Sequence, residues 1–136
     1  RDIDLLTEYA RTGLARQISA QHASDGMLHV LTFGPSTEDE IANSIQHTEH
    51  GNSVALAPWQ VQRLMGVLGS EVERMASNGR DPVILCSSRI RLALRRLIER
   101  KLPNVTVLAF SEVTPQTTVE AVGNIEVSVA DEALHR

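Results

Sequence analysis

The chain has 136 residues, of which 42% are hydrophobic and 22% charged, and its formal net charge is -4. This composition is typical of a soluble globular protein, and the negative charge argues against a dedicated binder of nucleic acid or anionic membranes. The single cysteine excludes an internal disulfide and favours a reducing cytoplasm. No apolar run approaches the roughly 20 residues of a membrane-spanning helix, and no signal peptide is visible. Because the chain starts at Arg1 inside a periodic segment, we expect a fragment of a longer protein.

The first predicted element is one amphipathic helix from Asp2 to about Ala20. Arg11 and Arg16 fall on its polar side and are expected to face solvent. The apolar residues that recur at helical spacing are Ile3, Leu6, Ala10, Leu14 and Ile18. The pattern predicts a helix that packs through one apolar face.

A strand and a short helix are predicted next. Leu28 to Phe33 has strand composition and is followed by the turn signal Gly34–Pro35. Thr37 and Glu40 have the spacing of a capping box, which predicts a helix over residues 36–48.

A turn, a strand and a long helix follow. The turn is predicted at Gly51–Asn52 and the strand at Val54 to Leu56, ahead of a proline that is suited to begin a helix. That helix extends to about Ala76. Gly66 and Gly69 weaken it by roughly 1 kcal/mol each relative to alanine, so we expect them to permit close packing.

The last predicted elements complete a sheet. Val83 to Cys86 and Val105 to Phe110 are short apolar runs without alternation, which is typical of strands covered on both faces. Val119 to Val129 is expected to add an edge strand, interrupted at Gly123–Asn124. The alternation of strands and helices predicts an α/β fold with a small, mostly parallel sheet flanked by helices.

Cys86 lies between a predicted strand and a helix N-terminus, a position where enzymes hold anions and activate thiols. Cysteine phosphatases need a glycine-bearing loop and an arginine six residues after the cysteine. That position is Leu92, and the intervening residues include no glycine. A IIB-like phosphocysteine carrier domain stays open as an alternative. The other interpretation makes Cys86 a core residue, with Ser87 or Ser88 as the helix N-cap.

Other site signals are weak. His47, Glu49 and His50 are close in sequence, but they fall across a predicted helix end and a turn. No further protein ligand follows at a recognised metal spacing. The chain also has no Gly-x-Gly-x-x-Gly or Walker motif. We therefore predict no catalytic residue, no cofactor and no metal.

The helix after Cys86 carries an unusual number of arginines. They line both margins of an apolar arc, which predicts a helix that buries its centre and keeps guanidinium groups at its edges. In one interpretation these arginines are solvated. In the other they contact an acidic partner, either another copy of the chain or another domain. The candidates for partner or subunit contact are Arg89, Arg91, Arg95, Arg96 and Arg100.

The segments "LLTEYARTGLARQI" and "PVILCSSRIRLALRRLIERKLPNVTVLAFSEV" resemble the C-terminal cytoplasmic region of the type III export-gate family. The members of that family are the flagellar biosynthesis protein FlhA and its relatives in virulence injectisomes. Ser88 and Phe110–Ser111 depart from its pattern. The residues that carry the resemblance best are Pro82, Ser87, Arg91, Arg95, Arg96, Leu97, Pro103 and Glu112.

The resemblance implies a function. The parent protein would be integral to the bacterial inner membrane, and its cytoplasmic part would form a ring, expected to be nonameric. Partners would be export chaperone–substrate complexes, components of the export ATPase complex and other copies of itself, but not nucleic acid. The family is not known as enzymes, so no enzymatic activity is expected.

The resemblance also implies a division of the chain. Residues 1–22 would be the last helix of the preceding, ring-building subdomain. Residues 23–130 would be the C-terminal α/β subdomain, and residues 131–136 a disordered tail.

Overall fold

A computed structural model describes residues 3–23, 26–49 and 51–127. The strands are β1 (Met27–Phe33), β2 (Ile45–Thr48), β3 (Gly51–Val54), β4 (Val83–Cys86), β5 (Thr106–Ala109) and β6 (Thr118–Ile125). The α-helices are α1 (Ile3–Gly13), α2 (Ala15–His22), α3 (Pro35–Asn43), α4 (Pro58–Ser77) and α5 (Arg91–Ile98), and a 3-10 turn spans Phe110–Glu112. The expected tail at residues 131–136 lies outside the described residues.

The central sheet has four parallel strands in the order β5-β4-β1-β6, which confirms the predicted α/β class. Strand β6 pairs with β1 over its whole length and forms one edge of the sheet, close to where the sequence predicted an edge strand. The pairing skips one residue at Val122, because Val30 lies opposite Ala121 while Leu31 lies opposite Gly123. Such a bulge increases the local twist of an edge strand.

Both faces of the sheet are covered, which explains the unbroken apolar runs. One face packs against α3, α4 and α5, and the other against α2 and the segment after β5. The first cluster includes Leu31, Phe33, Ile41, Leu64, Leu68, Ile84, Cys86, Ile90, Leu94 and Ile98. The second includes Leu28, Val30, Val83, Leu85 and Leu108, with Ile18 and Val113 packed against it.

The N-terminal segment differs from the prediction. It forms two helices, α1 and α2, because the helical path breaks at Leu14. Arg11 was expected in solvent, but its guanidinium is half-buried in an ion pair, so that prediction is wrong; the side chain of Arg16 is not among the described ones. Among the described residues, no helix combines the length and the apolar composition needed to cross a membrane.

The predicted capping box on α3 is also wrong. Gly34 is the N-cap and Pro35 opens the helix. The Thr37 hydroxyl instead accepts a hydrogen bond from Val127 N (2.9 Å) and donates one to Val127 O (3.1 Å). A tertiary contact to the segment after β6 has therefore taken the side chain that the sequence assigned to a helix cap.

The segment after α3 forms a hairpin that the sequence did not predict. Helix α3 ends at Asn43, and the residues expected to extend it form β2, which pairs antiparallel with β3. The second hairpin strand covers Gly51–Val54 and not Val54–Leu56 as predicted. β-Branched and polar residues such as Ile45 and Thr48 have low helix propensity, so pairing with β3 decides their conformation.

Candidate functional site

Helix α1 is attached to the α/β unit by charged groups, and its apolar side faces outward. Large apolar side chains along α1 and at the helix break are exposed, Tyr9 by 69%. Asp4, by contrast, is buried against the rest of the molecule. The exposed apolar residues are Ile3, Leu5, Leu6, Tyr9 and Leu14. An amphipathic surface helix ordinarily has the opposite orientation.

The first attachment joins three elements at Asp4. Arg96 of α5 forms a bidentate pair with this carboxylate, Nη1–Oδ2 at 2.9 Å and Nη2–Oδ1 at 3.0 Å. Asn52 N of β3 donates to Asp4 Oδ2 (2.9 Å), and Arg96 Nη1 also donates to Asn52 O (3.0 Å). The Arg96 hydrogen bonds, followed by that of Asn52, lower the pKa of Asp4. The carboxylate is therefore held in its charged form.

The second attachment pairs Arg91 with Glu8. Arg91 Nε donates to both carboxylate oxygens of Glu8, at 3.0 and 3.1 Å. Arg91 is only 5% exposed, and its Nη1 donates to Val107 O at 3.3 Å. A buried guanidinium needs such a partner, because an unpaired buried charge is costly.

The third attachment centres on Glu112, which is 1% exposed at the end of the 3-10 turn. Arg11 Nε lies 2.7 Å from Glu112 Oε2 in an ion pair, and neither atom makes a hydrogen bond among the described residues. Ala109 N donates to Glu112 Oε1 (2.7 Å), and the Ser19 hydroxyl donates to Glu112 O. One buried glutamate thus connects α1 and α2 to the end of β5.

These side chains also close the outer edge of β5. Thr106 N donates to Pro82 O on the β4 side. The residues on either side of it, Val105 and Val107, therefore direct their backbone groups away from β4. Arg95 Nη1 donates to Val105 O at 3.4 Å, and Arg91 covers Val107 O. Edge strands with unpaired backbone groups tend to pair with other chains. Two arginines and Glu112 occupy this edge instead.

The five predicted contact arginines therefore have different environments. Arg91 and Arg96 hold α1, Arg95 lies at the β5 edge, and Arg89 precedes α5 and pairs with exposed Asp39 at 3.2 Å. Arg100 is exposed and makes no hydrogen bond or ion pair among the described residues. Contact with a partner stays a prediction for all five.

The sequence reasoning missed the carboxylates that receive these arginines. Asp4, Glu8 and Arg11 recur at spacings of four and three residues, which places them on one face of α1. This polar stripe runs beside the apolar one and could have indicated a charged contact face. Glu112 stood out only through the family resemblance.

Cys86 does not have the environment of a nucleophile. Its side chain is 0% exposed, and burial, together with the nearby Glu38 charge, raises the pKa of the thiol well above its ordinary range. Ser87 N donates to Glu38 Oε2 (3.4 Å), so this amide already faces a carboxylate. Ile90 is the N-cap of α5, and Ser87 caps the turn before it, because its hydroxyl oxygen accepts a hydrogen bond from Arg89 N at 3.1 Å.

The histidine cluster is not assembled as a metal site within the described residues. His47 Nδ1 contacts Asn52 Oδ1 across the hairpin, and His50 lies outside those residues. No group of three histidine, cysteine or acidic side chains there is arranged to hold a metal ion.

The sequence and the fold are similar to those of known proteins. A model of the FHIPEP family matches residues 1–118. The flagellar biosynthesis protein FlhA of Bacillus subtilis is 35% identical over 127 residues, which is 93% of this chain and 19% of that protein. The chain thus spans about a fifth of the length of the curated relatives it matches.

Solved structures of related proteins have a similar fold. The nonameric EPEC SctV-C has a TM-score of 0.79 at 28% identity, and the match covers 92% of this chain and 37% of that one. The Chlamydia pneumoniae CdsV and CdsO protein complex contains a match with a TM-score of 0.73 at 28% identity, over 89% of this chain and 36% of that one. The predicted resemblance to type III export gates is confirmed, and the chain belongs to the FHIPEP family.

Proposed function

We propose that this chain is the C-terminal cytoplasmic part of a type III export gate. The parent protein would lie in the inner membrane, form a nonameric ring on the cytoplasmic side, and take part in docking of export substrates and chaperones. The family match supports the assignment to an export gate. The nonameric state of the EPEC relative SctV-C supports the ring. In this proposal the chain contributes to assembly and to binding of partner proteins, and it is not an enzyme.

The observation that carries this proposal is the inverted orientation of α1. Three ion pairs hold its polar face on the α/β unit, while its apolar face is exposed. Exposed contiguous apolar surface is typical of a site that another domain covers. We infer that residues 1–22 belong to the preceding, ring-building subdomain and that residues 23–130 form the C-terminal subdomain. The ion pairs then fix the angle between the two subdomains.

A partner surface is available at the exposed arginines. Arg89 has only a solvent-exposed pair with Asp39, and such pairs contribute little energy in solution, so a better acidic partner can replace it. Arg100 is exposed beyond α5. The relative CdsV forms a complex with CdsO, which supports a protein partner for this part of the gate. We propose Arg89 and Arg100 as contacts for such a partner, with components of the export ATPase complex among the candidates.

The phosphocysteine-carrier alternative receives no support from the geometry. Transfer of a phosphoryl group to Cys86 requires an accessible thiolate, whereas the thiol is buried and its pKa is raised. The Glu38 carboxylate beside the Ser87 amide would also repel a phosphate.

Affinity capture from bacterial lysate tests the proposal. The baits are this chain and the longer cytoplasmic region of its parent protein, each as wild type and as an Arg89→Glu/Arg100→Glu variant. Arg63→Glu/Arg80→Glu is the matched control, because it reverses two arginines that form no ion pair among the described residues. Mass spectrometry identifies the bound proteins, and mass photometry counts the subunits of the longer bait.

We expect the longer bait to form rings and to retain export chaperones or ATPase components. The Arg89→Glu/Arg100→Glu variant should lose the partner that these arginines contact, and the control should keep it. Capture of phosphotransferase proteins alone would contradict the proposed export-gate function. Equal retention by both variants would contradict the assignment of the contact to Arg89 and Arg100.

A further inference from the structure

A polar cavity of about 240 Å³ lies between α2 and the outer edge of β5. The described residues that line it include three arginines from two elements, α1 and α5, two amide side chains and an imidazole, and none of them is an aspartate or glutamate. The arginine, histidine and amide residues are Arg11, Arg91, Arg95, His22, Gln21 and Asn104. An acid-free lining is notable in a chain whose net charge is -4. We propose that this cavity binds an acidic segment of a partner polypeptide through its side-chain carboxylates.

The charge balance of the cavity leaves one guanidinium available. Glu8 neutralises Arg91 and Glu112 neutralises Arg11, at 3.0 and 2.7 Å. Among the described residues, Arg95 has only the Glu99 carboxylate nearby, at 4.0 Å, and that carboxylate is itself half exposed. An exposed pair at this distance contributes little. Arg95 therefore supplies the excess positive charge that an anionic ligand would meet.

The unused donors of the arginines suit carboxylates. A guanidinium has five N–H donors in a planar fork. Among the described residues, Arg95 uses one Nη1 donor on Val105 O, and Arg91 uses Nε and Nη1 on Glu8 and Val107 O. The remaining donors allow bidentate contacts to carboxylate oxygens. Glu112 and Glu8 of the chain itself hold Arg11 and Arg91 in fixed orientations before a ligand binds. This reduces the entropic cost of binding.

The location favours a polypeptide over a small free anion. The cavity follows the edge of β5 from Val105 to Val107, where Arg95 and Arg91 cover the two valine carbonyls, so an extended partner segment can lie along it and contact the arginine side chains. The amides of Gln21 and Asn104 add donors and acceptors suited to a peptide backbone. A volume of about 240 Å³ accommodates more than one carboxylate side chain.

Isothermal titration of the chain with a blocked tetraglutamate peptide tests this proposal, with inorganic phosphate as a second titrant at the same ionic strength. The test variant is Arg95→Gln, and Arg95→Lys keeps the charge but removes the fork. Arg63→Gln is the matched control, because it removes the same charge from a helical arginine that does not line the cavity and forms no ion pair among the described residues. Circular dichroism verifies that every variant is folded.

We expect the peptide to bind the wild type and Arg63→Gln with similar affinity. Loss of the charged hydrogen bonds of Arg95 should weaken binding about tenfold in Arg95→Gln, with Arg95→Lys between the two. Absence of peptide binding would overturn the proposal, as would equal weakening in Arg63→Gln, which would indicate unspecific attraction. Displacement of the peptide by phosphate at equal concentration would also overturn it, because the cavity would then be a general oxyanion site.

Discussion

Asp4 and Arg96 form a bidentate ion pair, with nitrogen–oxygen distances of 2.9 and 3.0 Å, that joins the first helix to α5. The same aspartate accepts the backbone N–H of Asn52, so the β2–β3 hairpin is held at this point as well. Gly51 lies against the pair and adopts a φ of 104°, a conformation that favours glycine. One carboxylate thus determines how three elements meet.

Asp4→Asn should destabilise the chain by about 1 kcal/mol near neutral pH, because the amide keeps an acceptor for Asn52 but loses the charged fork. The Arg96 side chain is 38% exposed, so solvent screening limits the effect. Urea unfolding of both proteins measures it. Asp39→Asn removes an exposed pair with Arg89 and is the control, for which no measurable change is expected.

The pH dependence follows from the lowered pKa of Asp4. The folded state keeps the carboxylate charged at pH values where the unfolded chain binds a proton, so the pair stabilises fully above the ordinary aspartate pKa of about 3.9. The stabilisation is lost as the pH falls through the lower pKa of the folded state. The wild-type advantage over Asp4→Asn should therefore disappear in strong acid. An advantage that persists unchanged there would contradict this role of the charge.

Glu112→Ala should cost about 3 kcal/mol, because it leaves Ala109 N and the Arg11 guanidinium without a partner in a buried position. Glu112→Gln should cost less, since an amide oxygen can still accept from Ala109 N. Chemical unfolding gives both values. A double-mutant cycle with Arg11→Ala isolates the ion pair, and a coupling energy near zero would show that the two side chains act independently.

Much of the sheet could be predicted from the sequence, because its strands are short apolar runs covered on both faces. Val83 to Cys86 is such a strand, with all four residues buried. Local pattern and tertiary packing agree at these residues. The α/β class followed from them.

The site was harder to predict, because its contacts join residues far apart in sequence. Arg91 and Glu8 are separated by 83 positions, and nothing local indicates that they meet. The apolar residues of α1 misled in another way. A pattern read alone assigns Leu6 and Leu14 to a contact face within the chain, but the folded chain presents them outward.

Gly66→Ala and Gly69→Ala should each stabilise the chain by about 0.5 to 1 kcal/mol, because alanine loses less backbone entropy in a helix. The expectation that these glycines permit close packing is wrong, since a Cβ added at either position would have no atom of another element within 4 Å among the described residues. Gly51→Ala is the contrasting variant. Its Cβ would lie 2.6 Å from Arg96 Nη1 at a positive φ, so it should destabilise. Urea midpoints rank the three variants, and a loss of stability in Gly66→Ala would contradict the open surface on α4.

The Cys86 thiol should resist labelling by a disulfide reagent in the folded chain and react rapidly once urea unfolds it. The thiolate is the reactive species, and burial both blocks access and raises the pKa of the thiol. Cys86→Ser should destabilise the chain by about 1 to 3 kcal/mol, since it buries a hydroxyl in an apolar cluster. Cys86→Ala should cost less, because it removes the sulfur without adding a polar group. Labelling of the native chain as fast as of a free thiol would instead indicate an exposed nucleophile and revive the phosphocysteine alternative.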